Sequence, residues 1–348
     1  MKRRRAAALA AILVLCGSVL LAAGNPGGPE TDAEKKEKDA PGTINIRLPG
    51  KEWGLECRLE GLDIRRCRVG PRGERMQIQA ADRERRLTYS MHMVPAQSSG
   101  GAEACRDFYW KRYKEMPLPL SDMEKSTLDS LPTASYLVKE VRGRRINQKN
   151  YYGYLAEGDT WIDVHVSQVR FESGNEEMLR GFLEPLRIDH DPSPSDLSLV
   201  LQAGYHYRRS AHEKAARLYE KALGAEKKDH EWTRNMKRMV VDNMGIGYGM
   251  SGSNEKAKKI FQDAIEEDPE YPMYHYNLAC AHAELDEVEK AAPELKRAFE
   301  LRDNMMRGES LPNPRRDPSF RPHLDHPAFK KVLRQIDQVQ SGGSGEGG

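Results

Sequence analysis

Residues 245–269 read GIGYGMSGSNEKAKKIFQDAIEEDP. Gly245 and Tyr248 lie three residues apart; Ala257, Phe261 and Ala264 follow at spacings of four and three, and Pro269 closes the stretch. These are helical intervals on either side of a Ser/Gly/Asn turn, so the stretch predicts two antiparallel helices meeting over small residues. Moving on by 34 residues gives Leu278, Ala279, His282, Ala291, Leu295 and Ala298 in the same roles. Moving back by 42 gives a thinner frame of Ala203, Ala215, Tyr219 and Ala222. One helical pair cannot bury its own apolar face, so successive pairs must stack. The longer first interval adds eight residues, close to two helical turns. Trp232, Met236, Met239 and Val240 continue an apolar stripe there, which predicts a longer helix and no rotation of the buried face.

The spacing and residue types resemble the tetratricopeptide repeat (TPR) family over about Pro194 to Asp303, with the middle repeat the most specific. The resemblance implies an all-α TPR solenoid in which the first helix of each pair faces a concave groove. By the same resemblance, Val200, Tyr207 and Arg208 would line the groove from the first repeat. Met239, Asp242, Asn243 and Met250 would line it from the second, and Met273, Tyr276, Asn277 and Glu284 from the third. Asn243 and Asn277 stand 34 residues apart, in one place of consecutive repeats. A side-chain amide offers donor and acceptor together and suits a peptide backbone; the alternative is two asparagines bonded to water or to their own array. The basic residues that clamp a terminal carboxylate in chaperone-binding members are missing, and Asp242 sits where one would be expected. That points to a neutral or basic ligand.

Beyond the repeats, Asp317-Pro318-Ser319-Phe320-Arg321-Pro322 precedes a helix opening at Pro327, with Phe329, Val332, Leu333 and Ile336 on one face. Residues 304–340 are therefore a capping segment and helix, and the Gly/Ser-rich residues 341–348 a tail without structure.

The first half has a different period. Trp53, Leu55, Cys57 and Leu59 alternate with polar neighbours, as do Leu87, Tyr89, Met91 and Met93, and Ile162, Val164 and Val166. Two helical stretches interrupt the strands: Ala102 to Tyr113, and Glu176 to Leu183 with Asn175 as its expected cap. Residues 43–189 thus read as an α+β N-terminal domain, a mainly antiparallel sheet packed by two helices. The order of elements, and Trp161-Ile162-Asp163-Val164-His165, resemble the PsbP-like and Mog1-like sandwich domains. Members of that group are binding or assembly modules, so the resemblance implies no catalytic residues. Residues 190–196, with Pro192 and Pro194, read as a short joint.

At the start, Lys2 to Arg5 precede an apolar run from Ala6 to Ala23 and small residues at Ala22-Ala23-Gly24, the layout of a secretory signal, with an uncleaved anchor helix as the alternative. Residues 25–42 read as a solvated linker. Removal of residues 1–24 takes the formal net charge of the 348-residue chain from +2 to −2. A near-neutral balance gives no basis for binding nucleic acid by bulk charge. The expected place is the periplasm or the medium, with no stable membrane span after cleavage.

Export permits oxidation. Cys57 and Cys67 lie on successive strand candidates, so a disulfide across a hairpin is one reading; Cys105 is a competing partner, and three unpaired thiols remain the alternative. Gly247 to Gly252 spell G-x-G-x-x-G inside a repeat helix, not after a strand, and carry no nucleotide site. Neither His212-Glu213 nor His230-Glu231 has a second histidine at zinc spacing. No metal, cofactor or catalytic residue is assigned. The reading is a non-catalytic exported scaffold whose groove binds a peptide segment of a protein partner in the cell envelope. The rival is an exported hydrolase using Asp163 and His165, with Ser167 on their face and Ser90 and His92 on a neighbouring strand.

Overall fold

Period-two alternation in the first half becomes ten strands among the described residues, and the 34-residue period in the second becomes paired helices. The computed structural model describes residues 43–59, 61–192, 195–229 and 232–342. The predicted leader (1–24) and linker (25–42) lie outside them, as do Pro194 and residues 343–348. The chain separates into two units, residues up to Ser198 with 227–231, and the remainder.

The first unit holds β1 (Ile44–Ile46), β2 (Gly54–Cys57), β3 (Asp63–Val69), β4 (Met76–Asp82), β5 (Leu87–Pro95), α1 (Gly101–Lys114), β6 (Leu120–Leu128), β7 (Leu131–Val141), β8 (Arg144–Glu157), β9 (Thr160–Gln168), α2 (Glu176–Arg180) and β10 (Arg187–Asp189). A seven-stranded sheet runs β3-β4-β5-β9-β8-β7-β6, and a three-stranded sheet runs β1-β2-β10. Every pairing is antiparallel. Helix α1 lays Cys105, Phe108, Tyr109 and Tyr113 on Tyr136, Tyr152, Tyr154 and Trp161 of one face of the large sheet. Tyr89, on the other face, meets Phe182 just beyond α2, with ring centroids 6.3 Å apart. Central strand β9 is buried along its whole length, so its polar residues need internal partners.

Two local expectations are corrected. Asn175 precedes α2 but makes no side-chain cap; its Nδ2 donates to Gln168 Oε1 at 3.1 Å. The hairpin joining Cys57 to Cys67 does not form, because the chain changes sheets between them. Cys57 pairs with Ile44 in the small sheet, and Cys67 with Ile78 in the large one. Cys57, Cys67, Cys105 and Cys280 are all free thiols. Burial pushes the Cys57 thiol up to about 12, so it stays protonated and inert.

The helices of the second unit are α3 (Asp196–Arg208, in this unit from Leu199), α4 (His212–Asp229), α5 (Arg234–Met250), α6 (Asn254–Glu267), α7 (Pro272–Glu284), α8 (Val288–Glu300) and α9 (Pro327–Gly342). Small residues set the close approaches. A Cβ on Gly245 would lie 2.3 Å from the Phe261 ring, and one on Gly247 would lie 3.0 Å from Ala216 Cβ. Gly247 is thus a packing residue, which accounts for the first glycine of the G-x-G-x-x-G phrase. The extra residues are shared: α4 and α5 have 18 and 17 residues against 14 and 13 in α6 and α7. Thr233 caps α5, its Oγ1 accepting from Met236 N at 3.3 Å.

The array ends in half a repeat. Phe261, Leu295 and Phe329 fall 34 residues apart, as do Ala264, Ala298 and Val332. Helix α9 therefore takes the second place of a fourth pair, burying Phe329, Val332 and Ile336 with Leu295 and Phe299. The first helix of that pair is replaced by an irregular strap, residues 305–320, in which Pro312, Pro314 and Pro318 deny a helix its backbone donors.

Candidate binding face of the helical repeats

Helix α5 is packed on most sides and open on one. Met236, Val240, Val241, Met244, Gly245, Gly247 and Tyr248 are buried. Met239, Asp242, Asn243, Ile246 and Gly249, at intervals of three and four, are half-buried, and the stripe ends at Met250. Met250 is 64% exposed, the exposed large apolar side chain among the described residues. Asn243 makes no side-chain hydrogen bond among the described residues, which leaves its amide available to a ligand. Two methionines, an isoleucine and a free amide make an adaptable apolar strip with one polar reader.

Asp242, at the edge of this strip, is bonded from α7. Its Oδ1 accepts from Asn277 Nδ2 at 2.5 Å. Burial, reinforced by the charge of Glu309, pushes the Asp242 carboxyl up to about 7 although the Asn277 bond opposes the shift. Tyr207, half-buried at the end of α3, feels the same carboxylate, and burial with that charge raises its hydroxyl. Arg208 beside it is exposed. Since the folded-state value of Asp242 lies above the unfolded one, the native state keeps a proton between about pH 4 and 7 that the unfolded state has lost. Stability from this group therefore falls as pH rises through that window and is flat above it. Asp242→Asn should remove the slope and raise stability at pH 8 by on the order of 2 kcal/mol after screening. Melting of both proteins from pH 4 to 8 checks this; an unchanged slope in the variant refutes the assignment to Asp242.

On α7 the same face is already occupied. The strap and the residues flanking it follow α7 from end to end: Asn304 Nδ2 donates to Glu270 O at 3.3 Å, and Tyr271 Oη donates to Glu309 at 3.0 Å. Tyr276 Oη donates to Asp317 at 2.9 Å, Cys280 Sγ approaches the same carboxylate at 3.9 Å, and His323 Nε2 donates to Ala283 O at 3.0 Å. Tyr276 is 1% exposed and meets Phe320 edge-on, with centroids 5.6 Å apart. Of the residues assigned to the groove, Tyr276 is thus taken by the strap and Asn277 by Asp242. Tyr207, Arg208, Asn243, Met250 and Glu284 keep exposed or half-exposed side chains. Asn243 and Asn277, equivalent in the repeat frame, differ in role because Asp242 reaches one of them and not the other. The sequence marks residues 304–340 as a capping segment but not that it covers the groove face of α7; the signal for that is Phe329, which continues the 34-residue frame without a helix before it.

The polar side chains of this strand face in the first unit bond mainly to one another, although the buried Gln148 Oε1 has no partner among the described residues. Register sets Ser90 opposite His165 and His92 opposite Asp163. His165 Nε2 bonds Asn150 Oδ1 at 3.0 Å, and Tyr152 stacks on its ring at 4.3 Å. Burial lowers His165 to about 4, so the ring is neutral at neutral pH. Ser167 Oγ lies 2.7 Å from Thr88 Oγ1 and accepts from Gln148 Nε2 at 3.0 Å. His92 Nδ1 is 3.6 Å from Asp163, and its other nitrogen lies 3.1 Å from Gln77 Nε2. None of these serine hydroxyls is bonded to a histidine, so the nucleophile–base contact of a hydrolase is not assembled here. Among the described residues no group of three His, Cys, Asp or Glu is placed to hold a metal, and no helix is long and apolar enough to cross a membrane.

No protein-family model matches the chain, and no curated protein does. Among solved structures it is similar to the first TPR of Spaghetti (RPAP3) bound to the HSP90 peptide SRMEEVD, at 15% identity over 42% of this chain and 94% of that one, with a TM-score of 0.28. It is similar to the Sgt2 TPR domain from Aspergillus fumigatus at 19% identity over 43% and 84%, TM-score 0.29. It is also similar to BtubC (BKLC) from P. vanneervenii at 18% identity over 45% and 68%, TM-score 0.32.

Proposed function

We propose that this chain is a non-catalytic interaction scaffold whose open α5 face holds a peptide segment of a partner protein. The observation that carries the reading is the continuous half-open stripe from Met239 to Met250, apolar at its end and crossed by the unbonded amide of Asn243. Met239, Ile246 and Met250 lie on one side of the helix at spacings of seven and four, so the apolar surface is a strip and not a single exposed residue, which suits cover by a partner segment. Export to the periplasm or medium, with an envelope partner, belongs to the same proposal. It rests on the basic residues Lys2 to Arg5 followed by the apolar run to Ala23.

Selection of peptides from a display library against the full chain tests the reading. Selected peptides should bind the native protein and lose about tenfold or more in affinity to the double variant Met250→Glu, Asn243→Ala, because a buried charge replaces an apolar contact. Melting behaviour should stay the same, since both side chains project from the packed core. Equal affinity for the variant would remove the α5 face from consideration.

A further inference from the structure

One end of the large sheet is built as a basic rim. Three connections meet there: the β4–β5 turn, the chain leaving β9, and the tip of the β7–β8 hairpin. Backbone bonds stitch them together. Val169 N donates to Arg86 O at 3.2 Å, Arg170 N to Ile146 O at 2.9 Å, and Phe171 N to Asn147 O at 2.8 Å. Gln168 Nε2 adds a bond to Arg85 O at 2.9 Å, and Asn147 Nδ2 one to Phe171 O at 2.6 Å. The strands that lead into this rim are neighbours in the order β4-β5-β9-β8-β7, so it spans about 19 Å.

Seven exposed arginines stand here: Arg83, Arg85, Arg86, Arg142 and Arg170 on the connections, and Arg144 and Arg145 at the start of β8. Arg85 is held by Asp82. The other six make no ion pair or side-chain hydrogen bond among the described residues. Three of them occupy left-handed backbone positions, Arg86 at φ 53°, Arg142 at φ 50° and Arg170 at φ 58°. Glycine or asparagine takes such positions with less strain, so arginine there is a costly choice for a turn. Strained positions that carry charge on stitched loops fit a surface whose side chains serve a partner.

We propose that this rim is a second docking surface, independent of the α5 face, that takes an acidic segment of a partner protein through guanidinium–carboxylate pairs. The pairing of Arg85 with Asp82 shows that chemistry within the chain itself. Guanidinium groups match carboxylates in a planar, two-pronged way that lysine does not. The rim is also patterned: Glu84 and Glu140 stand among the arginines, and Glu172 follows Arg170. The interleaved acids divide the positive field into short stretches, which suits the few carboxylates of a peptide segment, whereas a bilayer or a nucleic acid rewards uniform positive charge.

The test uses the full chain and three probes: a labelled glutamate/serine repeat peptide, vesicles containing phosphatidylserine, and duplex DNA. The comparison protein carries Arg86→Gly, Arg142→Gly and Arg170→Gly. These changes remove three charges and also relieve the left-handed strain, so its melting temperature should be equal or higher. The acidic peptide should bind the native chain, weaken with salt, and bind the variant about tenfold less tightly. Three results would overturn the proposal: no binding of the acidic peptide at low salt, equal binding by the variant, or tighter binding of vesicles or DNA than of the peptide.

Discussion

Replacing Gly245 by alanine should destabilise the helical array by roughly 2 kcal/mol, although alanine is the better helix former by about 1 kcal/mol. The added Cβ would lie 2.3, 2.7 and 2.8 Å from three ring atoms of Phe261. Phe261 is 2% exposed, and its ring centroid lies 6.4 Å from that of Tyr274 across the next helix. The ring has nowhere to swing, so α5 and α6 must move apart and loosen the contact that sets the repeat. Urea unfolding followed by helical circular dichroism measures the loss. Phe261→Leu in the Gly245→Ala background should recover at least half of it, because a shorter side chain makes room for the methyl group. A Gly245→Ala protein more stable than the native one would show that helix propensity, not the meeting of α5 and α6, governs this position.

That same contact explains why the repeats were legible in the sequence. Packing of small against large residues at fixed intervals is a local and periodic constraint, and Gly245, Phe261, Ala279 and Leu295 state it twice over. The strands were legible for a similar reason, since apolar residues alternate along β5 and β9, although in β9 the polar face is buried as well. Their partners were not, because register across a sheet is set by residues far apart in the chain; hence the Cys57–Cys67 hairpin was expected where the chain in fact crosses to another sheet. The candidate face was only half legible. The repeat frame names the residues that point into the groove, but whether a neighbour consumes them depends on single side chains. Asn277 is spent on Asp242 and Tyr276 on Asp317, while Asn243 is spared. The arginine rim left a plain compositional trace, yet its coherence rests on three connections brought together by the sheet order β4-β5-β9-β8-β7.

The second large effect is expected at Asp268, in the corner between α6 and α7. Its carboxylate takes two forks. Arg238 Nε and Nη2 donate to it at 2.7 and 3.1 Å, and Arg234 Nε donates at 3.1 Å with its Nη2 on the other oxygen. The Arg238 side chain is 11% exposed and its guanidinium lies 4.4 Å from the centre of the Tyr271 ring, whereas Arg234 is 66% exposed. Asp268→Ala would strand the buried Arg238 charge and should cost about 3 kcal/mol, while Arg234→Ala should cost about 0.5 kcal/mol because water already screens that fork. The contrast between them is the measurement. Adding Arg238→Met to Asp268→Ala should restore most of the stability, since no charge is then left buried. Acid gives a second view of the same corner. Although burial works the other way, the hydrogen bonds and charges of the two arginines hold the Asp268 carboxyl down at about 2. A depressed folded-state value contributes stability that is complete above about pH 4 and is lost as pH falls toward 2, on the order of 2 kcal/mol. The native protein should therefore lose stability across that interval more steeply than the Asp268→Ala, Arg238→Met protein. Parallel acid profiles for the two would mean that the pair with Arg238 does not hold this corner together.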